Sequence, residues 1–397
     1  MAEQLESDSL LSHEKERTAP TLLTVSIASL LSVSFGFYLF FLYPSNILFG
    51  IAASIGSLFS GICIDKIGRK STILMISTIY LFGYAELIFG SLKIQNSANF
   101  ANLFTNFGCV SCGIGFGMTS LAVPVYIAEV SSPRLRGTMG AITHYAIVLG
   151  IFVSYLTADA YNGNINICFS ALIGLALILF SFLIVFMPES PRWLLANNQR
   201  EKAFKSLFWL LGIESHAEDE CNQIEINLAH QHTASINDFR SPGLFRQLLI
   251  GSTLLFINHL TINKFIFLLS YRNFKNRNDI KAYIVLHLLF SLLGCYIVHK
   301  ISRRRLLLFG STILFIWNIC FCIYYLSQRK DDVRARVAYF FIYDIVFTFT
   351  WGPLPWIIVS EIFPPRARGL LSETKNLTLE EIEHYYAMNR GFRNYLF

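Results

Sequence analysis

A short string of charged residues occurs twice in this sequence with the same spacing. The first copy comprises Glu129, Pro133, Arg134, Arg136 and Gly137, and the second comprises Glu361, Pro365, Arg366, Arg368 and Gly369. Carboxylates and guanidinium groups at this spacing can form charge-assisted hydrogen bonds that hold neighbouring segments together. Each copy follows a long apolar run, and such internal duplication is typical of membrane proteins built from repeated halves.

The composition is that of a membrane protein. Hydrophobic residues make up 54% of the chain and charged residues only 15%, whereas soluble domains carry roughly 25% charge. Segments of about 20 apolar residues are long enough to cross a bilayer as helices. Ten such segments predict an all-α integral membrane protein, and they are Thr21–Leu42, Asn46–Ile64, Thr72–Leu92, Leu103–Ile127, Met139–Ala160, Ile167–Met187, Gln247–Leu269, Ile280–Val298, Arg305–Leu326 and Val337–Ser360.

The ten segments divide the chain into five parts. These are a cytosolic tail (1–20), a six-helix bundle (21–192), an intracellular helical linker (193–246), a partial four-helix bundle (247–369) and a second cytosolic tail (370–397). The polar start and the excess of Lys and Arg in the assigned inner loops favour a cytosolic location for both tails. The net charge of +6 therefore reflects membrane topology rather than nucleic-acid binding.

Several strings are specific enough to indicate a family. Gly61, Asp65, Gly68, Arg69 and Lys70 form a short basic turn in which Gly68 permits a left-handed conformation. This turn resembles the loop signature of the major facilitator superfamily. Further strings resemble its sugar porter family, namely Pro124–Glu129 with Pro133–Gly137, Pro188–Leu195, Gly352–Trp356 with Ser360–Glu361, and Glu373–Ile382. The resemblance covers nearly the whole chain and implies a major-facilitator-like bundle.

The resemblance also implies a network of ion pairs that closes the cytosolic gate. One cluster would contain Asp65, Arg69, Glu129, Arg134, Arg136, Glu189 and Arg192, and the other Arg303, Arg304, Glu361, Arg366 and Arg368. Ion pairs at the edge of the bilayer can be broken, as alternating access requires. The alternative is that these charges only fix the topology.

The same resemblance assigns a sugar site. By position, the hydrogen-bonding residues would be Asn258, His259, Asn263, His287 and Tyr155, with Trp356 lining the cavity. Gly352, Pro353 and Pro355 interrupt a membrane segment, which is tolerated where a helix lines a cavity or is buried in protein. We expect a flexible break beside the sugar, although a packed kink is the other interpretation.

Three departures from the family pattern affect the interpretation. No Asp or Glu occurs between Thr21 and Leu42, whereas proton-coupled members carry an acid on this helix. Only three residues separate Gly369 from Glu373, where the family has two more helices, so we expect six plus four helices. Lys264 lies within an apolar segment and needs a partner, for which Asp344 is the candidate.

The sequence thus predicts facilitative transport of a monosaccharide, a hexose such as glucose or fructose, by alternating access without proton coupling. The alternative is a non-transporting or regulatory truncated isoform that senses sugar or pairs with full-length transporters; an incorrectly assembled gene would give the same pattern. Enzyme chemistry, cofactors and metals are not indicated, so the expected partners are sugar and the lipid bilayer. Residues Glu6–Leu11 fit an acidic dileucine signal for endosomes or lysosomes, or an ordinary tail of a plasma-membrane protein.

Overall fold

The computed structural model describes residues 18–41, 47–91, 98–132, 135–160, 167–229, 249–258, 277–327 and 333–362. Within these residues every regular element is a helix, which confirms the predicted all-α class. The helices are α1 (Thr18–Phe41), α2 (Ile47–Ile67), α3 (Arg69–Ser91), α4 (Ala98–Val130), α5 (Arg136–Ala160), α6 (Ile167–Ser181), α7 (Pro191–Ala196), α8 (Arg200–Leu211), α9 (Glu214–Ala229), α10 (Leu249–Asn258), α11 (Arg277–Lys300), α12 (Arg303–Ser327), α13 (Val333–Phe349) and α14 (Leu354–Ile362).

The apolar helices coincide with the ten predicted membrane segments. In the described part of the chain, seven stretches are long and apolar enough to cross a membrane, and the seventh runs from α13 into α14. Three shorter apolar helices, Ala171–Phe186, Leu249–Asn258 and Tyr283–Val298, occupy the remaining predicted segments. The predicted loss of two helices after Gly369 falls on residues 363–397, which lie outside the described residues.

The segment predicted as Val337–Ser360 is two helices rather than one. A turn over residues 350–353 separates α13 from α14, so the expected interruption lies at Gly352 and Pro353. Pro355 does not contribute to the break, because it stands in the first turn of α14, where its missing N–H would have no helical partner.

Glycines allow the first six membrane helices to pack closely. A Cβ placed on Gly117 of α4 would collide with the Ala53 carbonyl of α2, and one on Gly150 of α5 would collide with the Val33 carbonyl of α1. Small residues at such crossings let helix backbones approach within a membrane. The buried side chains of α1–α6, such as Leu31, Tyr80 and Ile127, then form one continuous core.

The remaining helices form two further cores. One gathers buried residues of α10–α14, including Tyr343 and Ile357, together with Ala141 of α5. The other is small and lies in the predicted intracellular linker, where α7, α8 and α9 enclose Ala203, Leu207 and Cys221. Helix α8 lies within this linker and ends at Gly212, which is in the left-handed conformation.

The two halves meet along α5. A Cβ on Gly140 would lie 2.8 Å from the Ile357 side chain of α14, and one on Gly137 would lie 3.6 Å from a guanidinium nitrogen of Arg303 on α12. Helix α11 also packs against α5. The first half therefore contacts the second through α5, which begins with Arg136 and Gly137, the last two residues of the first charged string.

Candidate functional site

A buried ion pair forms the centre of a charged network at the ends of α2, α3 and α4. The guanidinium of Arg69 donates two hydrogen bonds to Glu129, from Nε at 2.8 Å and from a terminal nitrogen at 2.9 Å. Each side chain is only 5% exposed. Arg69 also donates to the carbonyl of Ile64 at 3.1 Å, and Asp65, whose side chain is 77% exposed, lies 3.8 Å away. The two-pronged geometry fixes α4 against the turn between α2 and α3.

Glu189 joins the same network through backbone groups. Its carboxylate accepts hydrogen bonds from the backbone N–H groups of Arg69, Lys70 and Ser190 at 2.8–3.2 Å. Burial raises the pKa of the Glu189 carboxyl, although these N–H donors and the charge of Arg69 act in the opposite direction. Glu189 thus satisfies the first N–H groups of α3 while remaining close to a cation.

Gly68 is required at this point for two reasons. Its φ angle is +94°, which confirms the predicted left-handed turn and disfavours any residue with a Cβ. A Cβ there would also lie 2.5 Å from Oε2 of Glu189. The turn therefore brings the backbone of α3 directly onto the carboxylate.

The structure brings Asp65, Arg69, Glu129 and Glu189 of the predicted first cluster together. Nε of Arg136 donates to the Ala128 carbonyl at 3.2 Å. Arg192 is buried at the start of α7. Arg134, Arg366 and Arg368 lie outside the described residues, as does the side chain of Glu361, while Arg303 and Arg304 begin α12.

Three residues missed by the sequence analysis complete the charged network. Oγ of Ser190 donates to Glu129 at 2.5 Å and also caps α7, which begins with Pro191. The Tyr126 hydroxyl donates to the Pro188 carbonyl at 2.6 Å, and Nε1 of Trp193 donates to the Asp65 carbonyl at 2.9 Å. A serine followed by proline is a recognisable helix start, so Ser190 could have been found from the sequence.

The predicted sugar-site residues are only partly described. Asn258 is fully buried at the end of α10, and neither of its amide atoms has a hydrogen-bond partner among the described residues. Tyr155 on α5 and Trp356 on α14 are also buried. The Trp356 ring meets Phe35 of α1 edge-on, with 6.4 Å between centroids. His259, Asn263 and Lys264 lie outside the described residues.

The fourth described residue of the predicted sugar site, His287, forms a buried pair with Asp344. Nδ1 of His287 on α11 contacts Oδ2 of Asp344 on α13, and the Thr348 hydroxyl lies 3.2 Å from the same nitrogen. Among the described residues, the basic side chain that contacts Asp344 is this histidine. The expected pairing of Asp344 with Lys264 stays a prediction, because Lys264 lies outside the described residues.

His144 on α5 faces the break between α13 and α14. A Cβ on Gly352 would collide with the His144 ring, and Nε2 of that ring is buried without a hydrogen-bond partner among the described residues. Nothing in the sequence near His144 signals that the break packs against it, so this residue was not predicted. In the described part of the chain, His144 of the first half and Asn258 of the second thus each have buried polar atoms without a partner, which a ligand rich in hydroxyl groups could satisfy.

Comparison with known proteins extends these observations. The family model described as "Sugar (and other) transporter" matches residues 45–374. Glucose transporter GlcP of Staphylococcus epidermidis is 29% identical over 351 residues, covering 84% of this chain and 74% of the relative. Facilitated trehalose transporter Tret1 of Bombyx mori is 28% identical over 337 residues, covering 81% of this chain and 64% of the relative.

A solved structure shows the same fold. The proton:xylose symporter XylE of E. coli, bound to 6-bromo-6-deoxy-D-glucose, superposes with a TM-score of 0.75 at 22% identity, over 93% of this chain and 86% of that chain. It thus shares a major facilitator superfamily fold with this chain. Because the family match spans most of the sequence, this protein is a multi-pass membrane protein that belongs to the Sugar (and other) transporter family.

Proposed function

We propose that this protein carries a monosaccharide, a hexose such as glucose or fructose, across a membrane by alternating access. The observation that carries the proposal is Asn258, whose buried amide has no hydrogen-bond partner in the part of the chain that the structure describes. Leaving such a group unpaired costs about 1–3 kcal/mol. A sugar hydroxyl would recover that free energy, since it both donates and accepts hydrogen bonds.

The proposed sugar site combines this amide with residues from both halves. Asn258, His259, Asn263 and His287 would hydrogen-bond the hydroxyl groups from the second half, and Tyr155 from the first. Trp356 would cover an apolar face of the ring, and its contact with Phe35 would connect that cover to α1. A site shared between halves is what alternating access requires, because either half can then move away.

The charged network would act as the cytosolic gate. The side chains of Arg69 and Glu129 are buried and paired, Glu189 accepts a hydrogen bond from the Arg69 backbone N–H, and α5 contacts α14 through Gly140. These contacts support an arrangement that is closed on the cytosolic side. Opening toward the cytosol would separate the halves along α5, with Gly352 and Pro353 providing the flexible point.

The proposed mechanism is uncoupled transport. Helix α1 contains no acidic residue from Thr18 to Phe41, so the acid that proton-coupled relatives carry on this helix has no counterpart there. Glucose and trehalose are named for the relatives GlcP and Tret1. A competition assay with trehalose therefore separates a monosaccharide site from a disaccharide site.

Uptake of labelled glucose and fructose in a host that lacks hexose transporters tests the proposal. We expect saturable uptake. Excess unlabelled hexose should abolish this uptake, and trehalose should leave it unchanged. Surface labelling of the same cells measures delivery to the plasma membrane. Absence of uptake despite full delivery would reject transport and favour the second candidate, a regulatory chain that pairs with a full-length transporter.

Substitution of the unpaired amide tests the site itself. Asn258→Ala should lower uptake about tenfold, the size of one or two lost hydrogen bonds, without lowering the surface amount. Asn222→Ala is the matched control, because Asn222 accepts a hydrogen bond from Arg200 on the exposed linker. Equal uptake by the two variants would remove Asn258 from the site.

A further inference from the structure

Helix α12 presents one exposed apolar face along most of its length. Leu308, Phe309 and Phe315 are 58%, 66% and 67% exposed. Ile316 and Ile323, which are also exposed, follow Phe309 at intervals of seven residues, so they lie on the same side of the helix. On a helix long and apolar enough to cross a membrane, such a face is suited to contact with lipid chains.

The exposed face of α12 begins with two arginines. Arg304 and Arg305 precede Leu308 and Phe309 by four residues each, which places each arginine one helical turn, about 6 Å, before an exposed apolar side chain. Both arginines are exposed. Nε of Arg305 donates a hydrogen bond to Oγ of Ser302 at 2.6 Å, and this bond holds the guanidinium at the start of the helix. Both arginines therefore lie where the lipid-facing side of α12 reaches the membrane surface.

The neighbouring helix α11 ends in a similar way. Leu293 and Tyr296 are 48% and 55% exposed, and the exposed Lys300 follows Tyr296 by four residues. Nζ of Lys300 lies 4.6 Å from the centroid of the Tyr296 ring. Aromatic and basic side chains at the ends of membrane helices are typical of the level of the lipid headgroups. We refer to Lys300, Arg304 and Arg305 as the basic edge.

The basic edge differs from Arg303, the arginine beside it. A Cβ on Gly137 of α5 would lie 3.6 Å from a guanidinium nitrogen of Arg303, so Arg303 lies towards the first half of the molecule. No Asp or Glu occurs from residue 280 to residue 330, so the basic edge has no acidic residue near it along its own two helices. Charge complementarity therefore favours an anion at this edge.

We propose that the basic edge binds the headgroup of an anionic phospholipid of the cytosolic leaflet, with the lipid chains along the exposed face of α12. A planar guanidinium matches phosphate oxygens with paired hydrogen bonds. Anionic lipids are concentrated in the cytosolic leaflet and attract basic residues next to membrane helices. The start of α12 is assigned to that side by the expected topology, and the binding does not depend on whether the chain transports sugar.

Quenching of a fluorescent label beside the basic edge tests the proposal. A bimane dye is attached through Leu308→Cys in a background with Cys320→Ser and Cys322→Ser, and the signal of the background without the added cysteine is subtracted. The full chain is reconstituted in phosphatidylcholine vesicles with a small fraction of spin-labelled phosphatidylserine or spin-labelled phosphatidylcholine. Half-maximal quenching should need at least about fivefold less of the serine lipid, the factor expected for one basic residue at an anionic surface.

A second label position provides the matched control. Ile51 is 54% exposed and lies four residues after the start of α2, and no Lys or Arg occurs from residue 18 to residue 65. A dye attached through Ile51→Cys should be quenched equally by the two lipids. Equal quenching by the two lipids at the Leu308 position as well would overturn the proposal.

Substitution of the arginines tests their part in binding. Arg304→Gln combined with Arg305→Gln should remove the preference for phosphatidylserine at the Leu308 position. Arg304→Lys combined with Arg305→Lys keeps both charges and should retain most of the preference. An unchanged preference in the glutamine variant would show that the arginines do not bind the headgroup.

Two further measurements leave the arginines in place. Salt at about 1 M should remove most of the preference, because it screens charges at a membrane surface, and a preference that salt leaves unchanged would contradict the proposal. Soluble glycerophosphoserine, which has the same headgroup without chains, should not displace the lipid. Displacement at equal concentration would assign the site to a free phosphate compound instead of a lipid.

Discussion

Arg69 illustrates how a buried charge is made tolerable in this protein. Its guanidinium has two bonds to Glu129 and one to a backbone carbonyl, so its positive charge is compensated although the side chain is almost inaccessible to water. Removal of one partner from a buried pair is far more costly than removal of an exposed one, because the remaining charge stays buried.

Glu129→Gln should therefore lower the stability of the folded protein by roughly 3 kcal/mol. Asp65→Asn is the matched control, since the Asp65 side chain is 77% exposed and a solvated ion pair contributes at most about 1 kcal/mol. Thermal unfolding in detergent measures both. Equal midpoints for the two variants would contradict the buried pair.

Gly68 gives a second prediction at the scale of one residue. Gly68→Ala should destabilise the protein by about 1–3 kcal/mol, because the new Cβ meets both an unfavourable φ angle and the Glu189 carboxylate. Gly61→Ala, seven residues earlier on α2, is the control, as its Cβ would have no neighbour closer than 3.8 Å. The same unfolding measurement should show no loss for Gly61→Ala.

At the scale of elements, the turn between α13 and α14 depends both on its own sequence and on its packing against α5. Gly352 and Pro353 predict an interruption, and the structure has a turn there. The His144 ring of α5 packs closely against Gly352 in this turn. An added methyl group at Gly352 must displace the imidazole, which is confined by Phe347 on α13.

Gly352→Ala should reduce uptake at least about tenfold with a smaller effect on surface amount, because close packing leaves no room for a methyl group. Gly50→Ala, on α2, is the control because a Cβ at Gly50 would have no neighbour within 4 Å. Uptake rates divided by surface amount provide the comparison. Normal uptake by Gly352→Ala would mean that the junction is not tightly packed during transport.

The elements were easier to predict than the contacts between them. Hydrophobic length alone predicts the seven described stretches that are long and apolar enough to cross a membrane, because each must satisfy its backbone within the bilayer. The motif around Asp65 and Arg69 also predicts that Arg69 belongs with Glu129. By contrast, the contact between His287 and Asp344 could not be predicted, since the two residues lie on different helices and no spacing rule relates their positions.

For the whole molecule, the charged network, the linker helices and the start of α12 should share the cytosolic side. Cysteines introduced at Phe208 and at Asn102 test this, because both positions are exposed and they should face opposite sides. A background with Cys320→Ser and Cys322→Ser removes two exposed native thiols.

An impermeant maleimide should label the cysteine at Asn102 in intact cells. It should label the cysteine at Phe208 only after permeabilisation, because that residue lies on linker helix α8. Labelling of the Phe208 position in intact cells would reverse the topology.

The linker is attached to the charged network by side-chain bonds as well as by the chain itself. Trp193 donates to the Asp65 carbonyl, and Oγ of Ser206 on α8 donates to the Glu189 carbonyl at 2.7 Å. Helices α7–α9 share a small hydrophobic core and therefore form one packed unit. An antibody fragment that binds α8 and α9 on the proposed cytosolic side would therefore inhibit the proposed transport without competing with sugar.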